Sequence, residues 1–297
     1  MEKKKLPSKN QTNFIFKTMR PLKKNIDGFT MYLDEMLTGT SGSLATMHHI
    51  EPELMWMFKH ECRGGLGIDA GASIGDTTLP MAKYLKRVIA FEPDKRSWKL
   101  LKRNIEANKL QNRVEARYCA LSDKCGESII FINRHSDKST LHKSRDGTYK
   151  ENIVPTITLD SMDVLPDFIK MDIEGFEVEA ILGGLNCLKK AKLCKLLIDV
   201  HPDTYSETHD FNTVLNNLMS FGFHFRYLIS AGKAIPEPFK YKGYKPQMIF
   251  KYGEYERGLY DNVSQDDCFS FCALPQTQLY DGKMVNKIVR TALLVKE

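Results

Sequence analysis

Acidic side chains are concentrated in one short stretch, KMDIEGFEVE, which runs from Lys170 to Glu179. Carboxylates this close together could bind a metal ion, act as an acid/base pair or form the first turn of a helix. Asp172 and Glu174 end a predicted strand and are two positions apart, so both side chains project to the same side of an extended backbone. We therefore expect these two residues to be catalytic, and we expect Glu177 and Glu179 to be solvated at the start of the following helix.

His201 is a further candidate for proton transfer. It follows the predicted strand CKLLIDV and should reach the same edge of the sheet as Asp172. A histidine at that edge can accept the proton that a hydroxyl group loses. The alternative is a divalent metal ion between Asp172 and Glu174, which is not expected because no third oxygen ligand stands out in the sequence.

A turn containing glycine follows the first predicted strand, in the sequence IDAGASIGDTT. Gly71 and Gly75 allow the backbone to approach a ligand closely, but the dinucleotide-binding pattern needs another glycine where this chain has Ser73. Asp69 ends the strand and is expected to face the cleft, where its charge would attract an ammonium group and repel a pyrophosphate. Glu92 ends the next strand, and an acid at that position can bind both hydroxyls of a ribose. An amino acid and a ribose in one ligand indicate S-adenosylmethionine.

The order of the predicted elements sets where these residues lie. Strands are predicted at residues 66–70, 87–92, 114–121, 167–173, 194–200 and 223–229, with an added extended segment at 128–133. Helices are predicted at 76–86, 96–108, 177–189 and 210–221. Asp76 is expected to cap the first of these helices and Asp210 the last. This alternation predicts a doubly wound, mostly parallel α/β sheet.

The rest of the chain is predicted to form extensions around this sheet. We expect a basic, flexible leader at residues 1–25 and an N-terminal helical extension at 26–65. The sheet domain occupies 66–230, and a C-terminal extension at 231–297 is expected to pack on it.

Charge is unevenly distributed along the chain. The leader has eight basic residues and one acidic residue, whereas the whole chain has a net charge of +6, so the body is close to neutral. The leader could contact an anionic membrane or polymer, and the body argues against extended nucleic-acid binding. The seven cysteines are scattered without a C-x-x-C pair, and no apolar run has the roughly 20 residues of a membrane span. We therefore expect reduced thiols and a cytoplasmic protein.

Six segments resemble the FkbM-type methyltransferases in order and spacing: DAGASIGDTT, AFEPD, NRVEARYCALSD, TLDSM, DFIKMDIEGFEVEAILGG and IDVHP. The resemblance covers roughly residues 65–230. It implies a class I, Rossmann-like fold, S-adenosylmethionine as the methyl donor, and O-methylation of sugars or natural-product hydroxyls. Ser73 departs from the asparagine that is common in the family, but it is small and polar and should keep the turn.

The resemblance also implies which residues contact the donor. Its methionine end should contact Asp69, Gly71, Ala72, Gly75 and Thr77, its ribose should bind Glu92, and its adenine should contact Ala120 and Leu121, after the third strand. The other residues expected to contact the donor are Ser73, Asp76, Pro93 and Asp172.

The predicted function is methylation of a hydroxyl on a carbohydrate or other polyhydroxyl small molecule. The N-P-P-Y or D-P-P-Y motif of enzymes that methylate amino groups is absent, since the fourth strand ends in MDIEGF, and this favours oxygen as the acceptor atom. The alternatives are an RNA or protein methyltransferase and a non-catalytic protein that binds S-adenosylmethionine. An NAD-dependent dehydrogenase is least favoured because the middle glycine is missing.

Overall fold

The structure is a computed structural model. It describes residues 21–34, 39–133, 139–140, 149–202, 204–205, 209–273, 279–280, 283–284 and 287–297. Most of the predicted basic leader, residues 1–20, lies outside the described residues. Among the described residues, none of the helices combines the length and apolarity that crossing a bilayer requires.

The N-terminal segment contains a β-hairpin as well as helices, so the helical prediction for residues 26–65 was incomplete. The hairpin and the two helices that follow are β1 (Leu22–Ile26), β2 (Phe29–Leu33), α1 (Gly39–Met47) and α2 (Pro52–Glu61). The first strand also includes the end of the predicted leader. Asn104 holds the hairpin, because its side-chain oxygen accepts the backbone N–H of Tyr32 at 2.6 Å.

The first half of the sheet alternates strands with helices as predicted. Its elements are β3 (Gly64–Ala70), α3 (Thr78–Tyr84), β4 (Leu85–Phe91), α4 (Lys95–Ala107) and β5 (Val114–Arg117). Asp94 caps α4 by accepting the backbone N–H groups of Arg96 and Ser97. The cap predicted at Asp76 was wrong, since Thr77 occupies the N-cap position of α3 and makes no side-chain cap bond.

A small four-stranded sheet follows β5, where the predicted third strand divides into two. Its strands are β6 (Ala120–Leu121), β7 (Gly126–Asn133), β8 (Ser139–Thr140) and β9 (Tyr149–Ile157). They lie in the order β6-β9-β7-β8. A single 3₁₀ turn at Asp160–Met162 leads back to the main sheet.

The second half of the main sheet repeats the alternation. Its elements are β10 (Phe168–Met171), α5 (Glu177–Leu182), α6 (Leu185–Lys190), β11 (Cys194–Asp199), α7 (Phe211–Ser220) and β12 (His224–Ser230). The single helix predicted at 177–189 is broken near Gly183. A Cβ there would lie 2.0 Å from the backbone oxygen of Ser122, so the glycine allows the chain to pass the small sheet closely.

The C-terminal segment is part of the main sheet and does not merely pack on it. It contains α8 (Glu237–Tyr241), β13 (Met248–Tyr252), β14 (Tyr255–Tyr260), α9 (Gln265–Ala273), β15 (Leu279–Tyr280), β16 (Lys283–Met284) and β17 (Val289–Lys296). The last of these strands lies between β11 and β12 and is antiparallel to both.

Among the described residues, the main sheet has nine strands in the order β13-β14-β12-β17-β11-β10-β3-β4-β5. Its pairings are parallel from β5 to β11 and antiparallel from β11 to β13, so the sheet is mixed where the sequence predicts a mostly parallel one. Apolar side chains of the hairpin and α1–α4 form a core on one face, and those of α5–α9 form a core on the other. Alternate residues of β10 serve the two cores: Phe168 enters the first, whereas Ile169 and Met171 enter the second. The protein therefore has the Rossmann-like α/β fold that the sequence predicts.

Candidate functional site

A cavity of ≈ 480 Å³ opens at the carboxyl ends of β3, β4, β10 and β11. This edge is where ligands bind in open α/β sheets. The cavity brings together eleven of the predicted site residues: Gly71, Ser73, Asp76, Thr77, Glu92, Pro93, Ala120, Leu121, Asp172, Glu174 and His201. Asp69, Ala72 and Gly75 do not line it.

The turn after β3 depends on a very close backbone approach at Gly71. This residue has φ +78, and a Cβ on it would lie 1.8 Å from the backbone oxygen of Asp172. The N–H groups of Gly71 and Ala72 both donate to the backbone oxygen of Phe91, at 3.1 and 3.0 Å. These contacts bring the ends of β3, β4 and β10 close together.

Asp69 lies beneath the cavity and does not face it, contrary to the prediction. The residue is 0% exposed, and its Oδ2 accepts hydrogen bonds from the hydroxyls of Thr77 and Thr78 at 2.8 and 2.6 Å. The carboxylate therefore fixes the start of α3.

Lys170 lies next to Asp69 and was not predicted as a site residue. Its Nζ donates to the backbone oxygen of Gly71 at 3.1 Å and lies 3.6 Å from Asp69 and 3.9 Å from Asp172. Burial opposes the lysine's charge, but the surrounding carboxylates outweigh it and raise its pKa. The unusual position of a lysine inside the apolar strand FIKM was a signal for this role.

Glu92 lies on the cavity wall with both carboxylate oxygens engaged. Oε2 accepts the N–H of Ser73 and Oε1 accepts the N–H of Asp94, each at 2.7 Å. Burial raises the pKa of Glu92 to about 8 and that of the neighbouring Asp76 to about 7. Each oxygen of Glu92 has a second acceptor position, so two hydroxyls of a ligand can still bind.

The four carboxylates of the acidic stretch divide differently from the prediction. Asp172 and Glu174 are about 30% exposed at the cavity, as expected (31% and 29%). Glu177 and Glu179 were predicted to be solvated, which was wrong, because they are 0% and 8% exposed. Glu179 pairs with His209.

Glu177 is instead the partner of His201. Its Oε1 lies 3.0 Å from Nδ1 of His201 and accepts the backbone N–H of Ile173, also at 3.0 Å. Burial opposes a charge on the imidazole, but Glu177 outweighs it and raises the pKa of His201 to about 9. Nε2 of His201 lies 3.8 Å from a carboxylate oxygen of Asp172 and 3.8 Å from one of Glu174.

Asp199, at the end of β11, is a buried carboxylate that was not predicted. Potential ligand atoms of Asp172, Asp199 and His201 all lie within 4.8 Å of one another, the spacing that a metal ion would need. Cations already lie against two of these groups, since Lys170 is 3.9 Å from Asp172 and Arg290 is 3.8 Å from Asp199. Burial works against the charge of Asp199, but Arg290 outweighs it and lowers the pKa to about 2.

The walls of the cavity come from the two ends of the chain. Wall residues come from α1, the connection between α1 and α2, α2, the hairpin of β13 and β14, and the residues around the start of β17. They are Gly39, Thr40, Ser43, Leu44, Ile50, Glu51, Leu54, Tyr252, Lys287 and Arg290. Glu51 accepts hydrogen bonds from Arg290 at 2.8 Å and pairs with Arg257 at 3.0 Å. The N-terminal and C-terminal segments therefore meet over the sheet edge, an arrangement that no local sequence pattern indicates.

Two solved structures are among those to which this chain is similar. The FkbM methyltransferase from Methylobacillus flagellatus KT has 18% identity and a TM-score of 0.44, with 76% of this chain and 55% of that chain covered. This chain therefore spans about half the length of that protein. TYW2 from M. jannaschii in complex with AdoMet has 15% identity and a TM-score of 0.39, with coverages of 82% and 87%. Comparison with curated proteins gave no match.

The family follows from the sequence match. Residues 69–232 match the family described as methyltransferase FkbM domain. This region is more than half of the chain and includes most of the cavity residues of the sheet domain. The protein belongs to the FkbM methyltransferase family.

Proposed function

We infer that the protein transfers a methyl group from S-adenosylmethionine to a hydroxyl of a carbohydrate or other polyhydroxyl small molecule. The observation that carries this proposal is the charge of the cavity. Among the described residues, six carboxylates line it, against three permanent cations and His201; the carboxylates are Glu51, Asp76, Glu92, Asp172, Glu174 and Asp199, and the cations are Lys170, Lys287 and Arg290.

The excess of acids favours a cationic ligand. S-adenosylmethionine carries a sulfonium and an ammonium group against one carboxylate, whereas a dinucleotide brings a pyrophosphate. Loss of hydration raises the pKa of Asp76 and of Glu92, and the charge of Lys170 offsets it only in part. A cationic ligand would supply that charge, so these residues fit the donor.

The chain offers distinct groups for each part of the donor. Glu92 has free acceptor positions for ribose hydroxyls, and the turn at Gly71 and Ser73 is open to the methionine end. Ala120 and Leu121, with Ile130 of the small sheet, form an apolar wall suited to adenine. When bound, the donor supplies an electrophilic methyl group on a positively charged sulfur.

The opposite part of the cavity is suited to a hydroxyl acceptor. Asp172 and Glu174 are both open to the cavity and can accept the proton that a hydroxyl loses. Thr204, Tyr252 and Lys287 add hydrogen-bonding groups for a polyhydroxyl molecule. The walls from α1, α2 and the C-terminal segment help to exclude water and so limit hydrolysis of the donor.

Mass spectrometry of reaction products tests the proposal. The full chain is incubated with S-adenosylmethionine and separate panels of sugars, small-molecule polyols, RNAs and peptides. We expect a mass gain of one methylene group on a hydroxyl of a sugar or polyol. Asp172→Asn should lower the rate by about 10²-fold or more, whereas Asp261→Asn, at an exposed position outside the cavity, should leave it unchanged. Methylation of RNA or peptide alone would overturn the proposed acceptor class.

A further inference from the structure

Glu177 and His201 form a buried pair beside the carboxylates of the acceptor region. The Glu177 side chain is 0% exposed and that of His201 is 12% exposed. The Nδ1–Oε1 distance of 3.0 Å is that of a hydrogen bond. The same Glu177 oxygen accepts the N–H of Ile173, so the carboxylate is fixed to the turn that carries Asp172 and Glu174.

The other ring nitrogen of His201 faces two acids. Nε2 lies 3.8 Å from both Asp172 and Glu174. The backbone N–H of His201 donates to the hydroxyl of Tyr205 at 3.1 Å, which fixes the start of the loop after β11. With Glu177 accepting from Nδ1, the protonated ring presents a single N–H to the cavity.

We propose that Glu177 is a positioning residue that keeps His201 protonated, so that a carboxylate, Asp172, and not His201 takes the proton of the acceptor hydroxyl. The catalytic part of this proposal rests on the proposed function. In that step the hydroxyl proton passes to Asp172, the oxygen's electron pair bonds to the methyl carbon, and the pair of the S–C bond stays on sulfur. His201 is then a fixed cation that orients the two carboxylates.

Charged groups around His201 act in opposite directions. The acids raise the affinity of the ring for a proton, whereas Lys287 and burial lower it. The titratable and charged groups that face His201 from the described residues around it are Asp172, Glu174, Glu177, Asp199, Tyr205 and Lys287, with Arg290 behind Asp199. Among these groups, Glu177 makes the hydrogen bond to the imidazole ring of His201. We therefore expect Glu177 to decide whether that ring is protonated.

A metal ion is the competing explanation of the same cluster. It would need Nε2 of His201 free of a proton, together with Asp172 and Asp199 as ligands. Lys170 and Arg290 lie against those two carboxylates, so their charge is already balanced from the protein side. The proton on Nε2 therefore explains the cluster better than an ion.

Histidine titration by NMR tests the proposal without requiring turnover. The full chain is labelled in its eight histidines, and the His201 signal is assigned with His201→Gln. We expect a midpoint near 9 in the wild type, above the ordinary value of about 6.5. Glu177→Gln should lower it by at least about one unit, and Glu174→Gln, which leaves the hydrogen bond to Glu177 intact, should lower it less.

Several results would overturn the proposal. One is a wild-type midpoint at or below the ordinary histidine value, which can be measured even if Glu177→Gln does not fold. Another is an equal effect of the two glutamine variants. A third is broadening of the His201 signal by added Mn²⁺ that is lost in Asp199→Asn, which would assign the cluster to a metal ion.

The pH dependence of turnover tests the catalytic part. With Asp172 as the base, kcat should not rise with the titration of His201. Glu177→Gln should then move the pH profile upward, because the charge of His201, which this variant loses, lowers the pKa of Asp172 in the wild type. A profile that moves with the His201 midpoint would make His201 the base. If S-adenosylmethionine does not bind at all, the proposed function fails while the titration result still stands.

Discussion

Replacing Gly71 with alanine should disrupt the base of the cavity more than backbone strain alone predicts. The added Cβ would lie 1.8 Å from the backbone oxygen of Asp172 and 2.8 Å from its carbonyl carbon. A favourable contact needs about 3.5 Å, so the ends of β3 and β10 would have to move apart by more than about 1 Å. This movement displaces both the donor turn and the predicted catalytic acid.

Gly243→Ala is a matched control for the backbone conformation. Gly243 has φ +77, close to the φ of +78 at Gly71, but a Cβ there would meet nothing within 4 Å. The left-handed conformation costs alanine about 1–2 kcal/mol at either position. The clash at Gly71 should add about 1–3 kcal/mol, which is a further fall in Tm of about 2–12 °C.

Thermal unfolding and calorimetry measure the two consequences. Gly71→Ala should show the larger fall in Tm and should bind S-adenosylmethionine at least about tenfold more weakly than the wild type. Gly243→Ala should bind it normally. Equal falls in Tm with unchanged affinity in both variants would refute the close approach of the two strand ends.

Three further predictions concern residues around the turn. Because burial raises the pKa of Asp76 to about 7 and of Glu92 to about 8, their stabilising contribution is complete below their unfolded values near 4 and is lost as the pH rises. The Tm of the unliganded protein should therefore fall from about pH 5 to about pH 8, and a Tm that rises over this range would contradict the raised pKa values of these acids. Ser73→Gly should raise the free energy of unfolding by about 1 kcal/mol, since Ser73 has φ +47. Denaturant unfolding measures this free energy, and a decrease would contradict the prediction. Lys170→Met should lower the free energy of unfolding by about 3–5 kcal/mol, because it leaves Asp69 buried without its cation. Adding Asp69→Asn to this variant should restore part of the lost stability.

Local signals were sufficient to bring several of the predicted residues to one cavity. Gly71, Glu92 and Asp172 each follow a short apolar strand, and parallel strands bring their carboxyl ends to one edge. The fold class and the positions of most strands follow from the same alternation.

Side-chain direction at the strand ends was harder to predict. Asp69 was expected at the cleft, but the hydroxyls of Thr77 and Thr78 bind it beneath the turn. Glu177 was expected in solvent, but Gly175 has φ +98 and turns the chain so that the following helix begins under the end of β10. Both errors arise because competing partners in the folded protein outweigh the local pattern.

Long-range contacts were beyond sequence reasoning altogether. Glu51 and Arg290 are 239 positions apart and meet on the cavity wall. Their pairing depends on β17 entering the sheet between β11 and β12, and nothing in the residues near Glu51 indicates that neighbour. The acceptor region therefore owes much of its shape to segments that the sequence left unassigned.

Calorimetric titration of the full chain with S-adenosylmethionine tests the central claim most directly. The acidic cavity predicts saturable binding at one site, with little or no binding of NAD under the same conditions. Absence of binding by S-adenosylmethionine, or equal binding of NAD, would contradict the assignment of this cavity to a cationic methyl donor.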